Sequence, residues 1–256
     1  MVAVKITHLS KTYRGYRGFL KRRRVQALQQ LDLEILKGEV LGLLGLNAAG
    51  KTTVLKILMG LIQPTKGEFK ILGKKGIDKE TRRKIGYLPE NANLYEFLTA
   101  SEFLNFCGKL FSLRKDIRQE KVAYLLRFLD LERVKNTRIS EFSKGMRQRL
   151  AIASALINEP QLIFLDEPLS GLDPLGRKKV KEIIRQLNQA GNTIFFSSHI
   201  LAEVEEICHR IGILHQGKLI CLKSIQEIKD EGVSLEDFFI KMISSDETTL
   251  LSDHHN

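Results

Sequence analysis

Cysteine is scarce in this sequence, and no apolar run is long enough to cross a membrane. The three cysteines, Cys107, Cys208 and Cys221, are an odd number with neither CxxC nor metal-ligand spacing. We therefore expect reduced structural thiols and no metal site built on them. A membrane-spanning helix needs about 20 mostly apolar residues, and charged residues or glycine interrupt each apolar run sooner. The first residues lack the apolar core of a signal peptide, so we expect a soluble chain in the cytoplasm.

Low-complexity tracts are also absent. With 256 residues, 43% hydrophobic and 28% charged, the composition excludes a disordered or fibrous chain and leaves room for one large or two small domains. The charge is uneven: Lys and Arg number 41 against 30 Asp and Glu, yet residues 225–256 hold eight acidic and two basic residues. The rest of the chain is strongly basic, which suits nucleotide phosphates, anionic lipids or nucleic acid alike.

Short apolar strands alternate with helices along much of the chain. Asp173 and Pro174 fit the N-cap and first position of one helix, and Gly191 fits its C-cap. Buried strands that alternate with helices are typical of a parallel α/β sheet. The expected strands are 39–45, 161–168 and 193–198, and the expected helices are 51 to about 61 and 174–190.

Residues 89–160 lack such strands and are expected to form a helical insert. Thr99 and Glu102 match a capping box at the start of one helix. Apolar positions from 122 to 129 indicate a second helix, and Ser143 is placed as the N-cap of a third.

Two other segments are expected to be antiparallel. The residues before 36 alternate in hydrophobicity in two places, which predicts a small β layer beside the core. Gln216 and Gly217 lie between two apolar runs and predict a hairpin turn.

Residues 45–52 read GLNAAGKT and match GxxxxGK[ST] between an expected strand and an expected helix. In this arrangement backbone N–H groups and the helix N-terminus face a triphosphate. Lys51 reaches the β and γ phosphates, and the Thr52 hydroxyl binds Mg²⁺. The motif therefore predicts a nucleoside triphosphate site.

A pair of carboxylates, Asp166 and Glu167, closes the second apolar strand. Open α/β sheets bind ligands at this end of their strands. Beside a phosphate loop, Asp166 is expected to hold Mg²⁺, directly or through water, and Glu167 to activate the attacking water. His199 follows the third strand and on its own would be an ordinary strand-end histidine.

The order of these motifs resembles the ATP-binding cassette (ABC) ATPases, the motor subunits of ABC transporters, over nearly the whole chain. The resemblance is carried by Tyr13, the phosphate loop 45–53, IGYLPENANLY (85–95), FSKGMRQR (142–149), IFLDEP (163–168), SGLD (170–173) and SSH (197–199). It implies an α/β fold: a P-loop NTPase (RecA-like) core with an N-terminal antiparallel β layer and an inserted α-helical subdomain.

The resemblance also implies domain boundaries and residue roles. One ABC ATPase domain would comprise a nucleotide-binding core (1–88 and 161–224), a helical subdomain (89–160) and a C-terminal helix with an acidic tail (225–256). Tyr13 would stack on adenine, and His199 would sense the γ-phosphate and act in catalysis with Glu167 and Glu90. The ATP-binding residues of one chain would be Tyr13, Gly45, Leu46, Asn47, Ala48, Ala49, Gly50, Lys51, Thr52 and Thr53.

Two chains facing head to tail would sandwich two ATP molecules. Ser143 and Gly145 would contact the ATP of the partner subunit. Mg²⁺ would be held by Thr52, Glu90 and Asp166. The seam of the dimer would contain Ser170, Gly171, Leu172 and Asp173.

Three positions depart from the family pattern. Ala48 stands where glycine is usual; if this position needs a positive φ, alanine costs on the order of 1 kcal/mol and weakens ATP binding. Glu90 replaces a glutamine: it remains an oxygen ligand but loses the amide donor. Lys144 replaces the second glycine of the signature. LPEN together with SKGMRQR resembles a bacterial subgroup that serves export permeases of the ABC-2 type.

The stretch 14–24 reads RGYRGFLKRRR, with six basic residues in eleven. It is expected to be a loop. A solvated loop, a contact with anionic lipid heads beneath a permease, and a contact with nucleic acid or an acidic partner all remain open. Tyr16 and Phe19 among the charges are compatible with a membrane-facing or partner-facing loop.

The sequence therefore predicts an ATPase that dimerises on ATP and drives a separately encoded ABC-2 type permease, most simply for export, on the inner face of the cell membrane. The dimer would pair two copies or one copy with a related cassette. Two alternatives remain open. One is a soluble ABC ATPase that acts on ribosomes or nucleic acid, and the other is a catalytically weak regulatory subunit.

Overall fold

The structure, a computed structural model, describes residues 1–17 and 21–253. Phe19, expected among the charges of the basic stretch, lies outside the described residues. The chain divides into two compact units. The first comprises Met1–Asp78 and Phe195–Asn256, and the second comprises Lys79–Ile194.

Strands and helices alternate through most of the described chain. The strands are β1 Val2–Arg17, β2 Lys21–Leu36, β3 Val40–Leu44, β4 Lys66–Ile71, β5 Lys74–Lys75, β6 Ile85–Leu88, β7 Leu162–Asp166, β8 Thr193–Ser198, β9 Arg210–His215 and β10 Lys218–Ser224. The helices are α1 Lys51–Leu58, α2 Lys79–Arg83, α3 Ala100–Leu110, α4 Lys115–Phe128, α5 Lys144–Leu156, α6 Pro174–Gln189, α7 Leu201–Ile207, α8 Ile225–Asp230 and α9 Leu235–Asp253. None of the helices in the described parts of the chain has the length and apolarity needed to cross a membrane.

The first unit contains both kinds of strand pairing. Strands β2, β1, β4 and β5 form an antiparallel sheet in that order, as the alternating N-terminal residues predict. Strand β9 pairs in parallel with β3 and antiparallel with β10. All five residues of β3 are buried, because a central parallel strand is covered on both faces. The turn between β9 and β10 is the predicted hairpin, with positive φ at Gln216 and Gly217.

The prediction that residues 14–24 form a loop was wrong. Strands β1 and β2 continue into this stretch, and Arg14 pairs with Arg24 and Arg17 with Lys21. The backbone N–H and C=O groups that pair two strands do not depend on the side chains. A run of charges therefore did not exclude strand pairing, and the pairing upstream sets its register.

The second unit holds the predicted helical insert. Strand β6 pairs in parallel with β7, and the fully described residues between them contain helices and one isolated bridge, between Thr99 and Arg138. Apolar side chains on α4 and α5 are buried against each other and against α3. The residues that the sequence pattern places on the α4 face, Val122, Leu125, Leu126 and Leu129, are all buried.

Local capping signals define several helix starts. Thr99 and Glu102 form the capping box: Thr99 Oγ1 accepts from Glu102 N at 3.2 Å, and Glu102 Oε2 accepts from Thr99 N at 2.8 Å. Asp173 Oδ1 caps α6 by accepting from Gly176 N at 2.6 Å. The helix ends were predicted less well. Helix α1 stops at Leu58, and the α6 cap is Ala190, with Gly191 following it at φ 95°.

The capping box yields a stability prediction. Thr99→Ala should destabilise α3 by about 1 kcal/mol, because the Glu102 N–H loses its acceptor. Hydrogen exchange of the α3 amides should then speed up by roughly fivefold. Thr99→Ser keeps the hydroxyl and should exchange at the wild-type rate. Unchanged exchange in the alanine variant would show that the box does not stabilise the helix.

Candidate nucleotide site

The side chain of Lys51 folds back onto the loop between β3 and α1 and binds its main chain. The Lys51 ammonium is buried and donates to the carbonyl oxygens of Gly45 at 2.7 Å and Leu46 at 3.3 Å. Ala49 N donates to Leu46 O at 3.2 Å. Carbonyl oxygens are weaker partners for an ammonium than phosphate oxygens, so an entering phosphate can take their place.

Two glycines of this loop touch neighbouring backbone. A Cβ on Gly45 would overlap the Leu214 carbonyl oxygen, and one on Gly50 would lie 2.5 Å from Ala27 O. Gly50 also has φ 114°, a backbone conformation that residues with a side chain rarely adopt. Glycine is therefore required at both positions, and the loop rests directly on the main chain behind it.

Ala48 has φ 64° and is exposed. The penalty expected for alanine at this position depends on a positive φ, and the φ is positive. An L-residue in this left-handed region costs about 1 kcal/mol. The methyl group also projects from the part of the loop that faces solvent.

The N-terminus of α1 follows the loop directly. Its first turn carries Thr52 and Thr53, both half-buried, and no acidic residue. The N–H groups of this first turn and the helix dipole favour an anion here. Together with the glycines, this makes the loop suited to a phosphate chain.

Tyr13 and His199 also belong to the first unit. The Tyr13 ring is 40% exposed, and the Lys11 ammonium lies 5.2 Å from its centroid. His199 is exposed just after β8. The turn around it is held by Ser198, whose Oγ accepts from Ile200 N at 3.0 Å and donates to Glu203 Oε2 at 3.1 Å.

The two carboxylates lie in the second unit, at the end of β7. Asp166 is 1% exposed, and the backbone of Glu167 has φ 50°. Strained backbone of this kind is concentrated at functional sites. Tyr87 on the neighbouring β6 is half-buried, and burial raises its pKa to about 12, with a further contribution from the charge of Asp166. The tyrosine is therefore a neutral hydrogen-bonding group near the aspartate.

The signature residues begin α5. Ser143 Oγ caps the helix by accepting from Met146 N at 3.3 Å. A Cβ added to Gly145 would meet nothing within 4 Å, so this position opens to space. Lys144 extends over Gly171, whose φ is 66°, and a side chain on Gly171 would overlap the Lys144 ammonium. The signature and the segment 170–173 are thus adjacent within the same unit.

Two residues of α5 link other functional segments, and the sequence did not reveal them. Gln148 Nε2 donates to Pro168 O at 2.7 Å, directly after the carboxylates. Arg147 donates to Glu96 Oε1 at 2.7 Å and to Ser140 O at 3.0 Å. Both belong to FSKGMRQR, but Pro168 and Glu96 lie 20 and 51 residues away from them, and no local pattern signals such pairs.

The remaining predicted residues can be placed by unit. Glu90 is exposed after β6 in the second unit. In 170–173 of the same unit, Leu172 is buried, and Ser170 N donates to Glu167 O at 3.1 Å. The first unit therefore holds Tyr13, the phosphate loop and His199, and the second holds Glu90, the carboxylates and the signature.

Sequence comparison identifies related proteins. A family model described as ABC transporter matches residues 28–170. An uncharacterised ABC transporter ATP-binding protein of Synechocystis sp. is 48% identical over 233 residues, which cover 90% of this chain and 65% of that protein. The bacitracin transport ATP-binding protein BcrA of Bacillus licheniformis is 38% identical over 220 residues, covering 85% of this chain and 68% of BcrA. The chain thus spans about two thirds of the length of these relatives.

Solved structures share the fold. An ATP-binding subunit of an ABC transporter superposes with a TM-score of 0.80 and 32% identity, covering 94% of this chain and 99% of that one. A dimeric ATP-binding cassette in a post-hydrolysis state, with ADP and phosphate bound, gives 0.77 and 29% identity, covering 87% and 98%. These similarities confirm the P-loop NTPase fold expected from the sequence.

The backbone of Ala48 generates a binding prediction. Ala48→Gly should tighten ATP binding by roughly fivefold, because removing the methyl group opens room for the phosphates and lowers by about 1 kcal/mol the cost of holding the left-handed φ around them. Calorimetric titration of both proteins measures the change. Ala49→Gly is the matched control: Ala49 has no positive φ to relieve, so this variant should not gain affinity. Equal or weaker binding by Ala48→Gly would mean that the loop tolerates alanine without strain.

Proposed function

Because this chain belongs to the ABC transporter ATP-binding proteins, as its motif order predicts, and is an ATPase of the P-loop fold, we propose that it is the motor subunit of a membrane transporter. The observation that carries this proposal is the phosphate loop, residues 45–51. Its glycines rest on neighbouring backbone, and its buried Lys51 is satisfied by carbonyl oxygens that a phosphate can replace.

Nucleotide binding uses residues of the first unit. Lys51 turns from the carbonyls of Gly45 and Leu46 to the β and γ phosphates, which are stronger partners for an ammonium. The loop N–H groups and the start of α1 bind the same phosphates. Tyr13 stacks on adenine with an exposed part of its ring, and His199 contacts the γ-phosphate.

The donor set fits Mg²⁺. The Thr52 hydroxyl and the carboxylates of Asp166 and Glu90 offer the hard oxygen ligands that this ion prefers. When bound with ATP, the ion neutralises charge on the β and γ phosphates. Asp166 ends a buried strand, so its carboxylate is held in a fixed position.

Glu167 is the proposed base. It accepts a proton from the water that attacks the γ-phosphate. Its strained backbone and the bond from Ser170 N to its carbonyl fix the turn that presents it. Gln148 holds the next residue, Pro168, against the signature helix.

The active assembly is a head-to-tail dimer, of two copies or of one copy with a related cassette. Ser143 and Gly145 contact the partner subunit's ATP at the start of α5, where helix N–H groups favour phosphate. Residues 170–173 form the seam. The exposure of Ser143 and the open space around Gly145 support this role, and a similar cassette has been solved as a dimer.

The partner is an integral permease of the ABC-2 type, served from the cytoplasmic face of the membrane, and transport is outward. Relatives with 38% identity are named as bacitracin transport and linearmycin resistance ATP-binding proteins. Such names fit export. Residues 89–160 would act as the helical subdomain, between the core segments 1–88 and 161–224.

A second candidate, a catalytically weak subunit, is favoured by one observation. The φ of 64° at Ala48 places a strained methyl group in the phosphate loop. In that case wild-type protein would bind ATP weakly, and Ala48→Gly would restore binding.

The proposed base gives a direct test. Glu167→Gln should bind Mg²⁺ and ATP but turn over at least about 100-fold more slowly, because an amide does not accept the proton. The closed dimer should then accumulate, and size-exclusion chromatography with ATP should detect it.

The matched control is Lys51→Ala, which should lose nucleotide binding and remain monomeric with ATP. A Glu167→Gln protein that hydrolyses ATP at the wild-type rate would refute the assignment of the base. One that binds ATP and stays monomeric would refute the proposed dimer.

The basic stretch 14–24, into which the paired strands β1 and β2 continue, predicts a membrane contact. Replacing Arg22, Arg23 and Arg24 by Gln should weaken binding to vesicles with anionic lipid by roughly tenfold or more, since each basic residue near such a surface contributes about 1 kcal/mol. Vesicle co-sedimentation measures this, and the difference should be largest at low salt.

The control variant removes the same number of charges at exposed positions of the second unit. It replaces Lys115, Arg133 and Lys135 by Gln. Only the hairpin variant should lose vesicle binding, while both keep the wild-type ATPase rate. An equal loss of vesicle binding in both would assign the effect to net charge, and a loss of turnover in the hairpin variant would show that the hairpin serves catalysis.

A further inference from the structure

The β9–β10 turn forms the back wall of the phosphate loop. The Leu214 carbonyl occupies the place that a side chain on Gly45 would need. Three residues later, Gly217 N donates to Ala49 O at 2.9 Å. The two ends of the segment 214–217 therefore contact the phosphate loop, one at Gly45 and the other at Ala49.

The same turn is fixed from the side of β2. Gln29 N donates to Gly217 O at 2.8 Å, and Gln29 Nε2 donates to Gln216 O at 2.8 Å. A Cβ on Gly217 would lie 2.8 Å from Ala27 O. The turn thus has little room to move independently of the phosphate loop.

His215, in the middle of this segment, is held by the C-terminal helix. Its Nδ1 lies 2.7 Å from Asp246 Oδ2 of α9, and the two side chains are only 6% and 16% exposed. A carboxylate accepts and does not donate, so the histidine Nδ1–H is the donor. A largely buried bond of this kind restrains both partners, because water has little access to replace either of them.

Helix α9 is also anchored near its start. Ser234 Oγ accepts from Asp237 N at 3.0 Å, Leu235 and Phe238 are buried, and the Lys223 ammonium lies 5.4 Å from the Phe238 ring centroid. Asp246 lies two turns beyond these contacts. Its bond to His215 therefore joins the later part of α9 to the turn behind the phosphate loop.

Resting on the proposed function, we propose that Asp246 is a positioning residue for nucleotide binding, which acts through His215 on the phosphate loop. The C-terminal helix then regulates the affinity of the site for nucleotide phosphates, although it does not contact them. A shift of α9 moves His215, the turn moves with it, and the loop changes through Gly217 and Leu214. By thermodynamic reciprocity, a nucleotide in the loop must also stabilise the contact of α9.

ADP is the probe, because it fills the phosphate loop without the γ-phosphate that closes the dimer. Asp246→Ala should raise the dissociation constant for ADP by roughly fivefold, the low end of usual coupling between sites. Asp246→Asn retains an acceptor oxygen and should lie between the alanine variant and wild type. Glu236→Ala removes an exposed carboxylate from the same helix and should leave ADP binding unchanged.

A double-mutant cycle separates coupling from general loosening. If Asp246 acts through His215, the variant that combines His215→Ala with Asp246→Ala should bind ADP no more weakly than His215→Ala alone. Additive losses would overturn the proposed path. Unchanged ADP binding in a folded Asp246→Ala protein would overturn the proposal itself.

Hydrogen exchange tests the reverse direction, first in the wild-type protein and then in Asp246→Ala. ADP should slow exchange of the α9 amides around residue 246, and this protection should vanish in Asp246→Ala. Protection of the phosphate loop without protection of α9 would refute the coupling while leaving the proposed function intact. Wild-type protein that binds neither ADP nor ATP would refute the proposed function, and the inference with it.

Discussion

The candidate site depends on the close approach of one backbone to another. The phosphate loop lies against the carbonyls of Ala27 and Leu214, and only glycine at positions 45 and 50 permits that distance. A side chain at either place would push the loop away from its support. The loop geometry is thus set from behind, by β2 and by the β9–β10 turn, before any phosphate enters. Preorganised N–H groups bind a phosphate chain without a further ordering cost.

Backbone strain is stored at two positions that matter for the proposed chemistry. Ala48 and Glu167 are non-glycine residues with φ of 64° and 50°, and such positions cost about 1 to 3 kcal/mol each. The surrounding structure maintains both. Glu167 follows a buried strand and its carbonyl accepts from Ser170 N, whereas Ala48 lies between loop residues fixed at 45 and 50. The left-handed backbone at Glu167 ends the regular path of the strand, which stops at Asp166.

In the second unit, helix α5 connects three segments to which the proposed function gives separate roles. Its cap, Ser143, belongs to the signature. Arg147 binds Glu96, which follows the segment with Glu90, and Gln148 binds Pro168, which follows the carboxylates. A rigid helix transmits displacement along its length, so a change at the signature reaches both segments through single hydrogen bonds.

The sequence by itself determined the features whose cause is local: the phosphate loop between β3 and α1, the caps at Thr99, Ser143 and Asp173, and the β9–β10 turn. Each depends on residues within a few positions of one another. The roles assigned to the site residues stay predictions. Tertiary structure alone decided that β1 and β2 pair through the charged stretch, and that His215 meets Asp246 from 31 residues away. Such pairs form only when distant segments pack. A histidine or a carboxylate can equally face water, so no pattern in the sequence predicts which of them will pair.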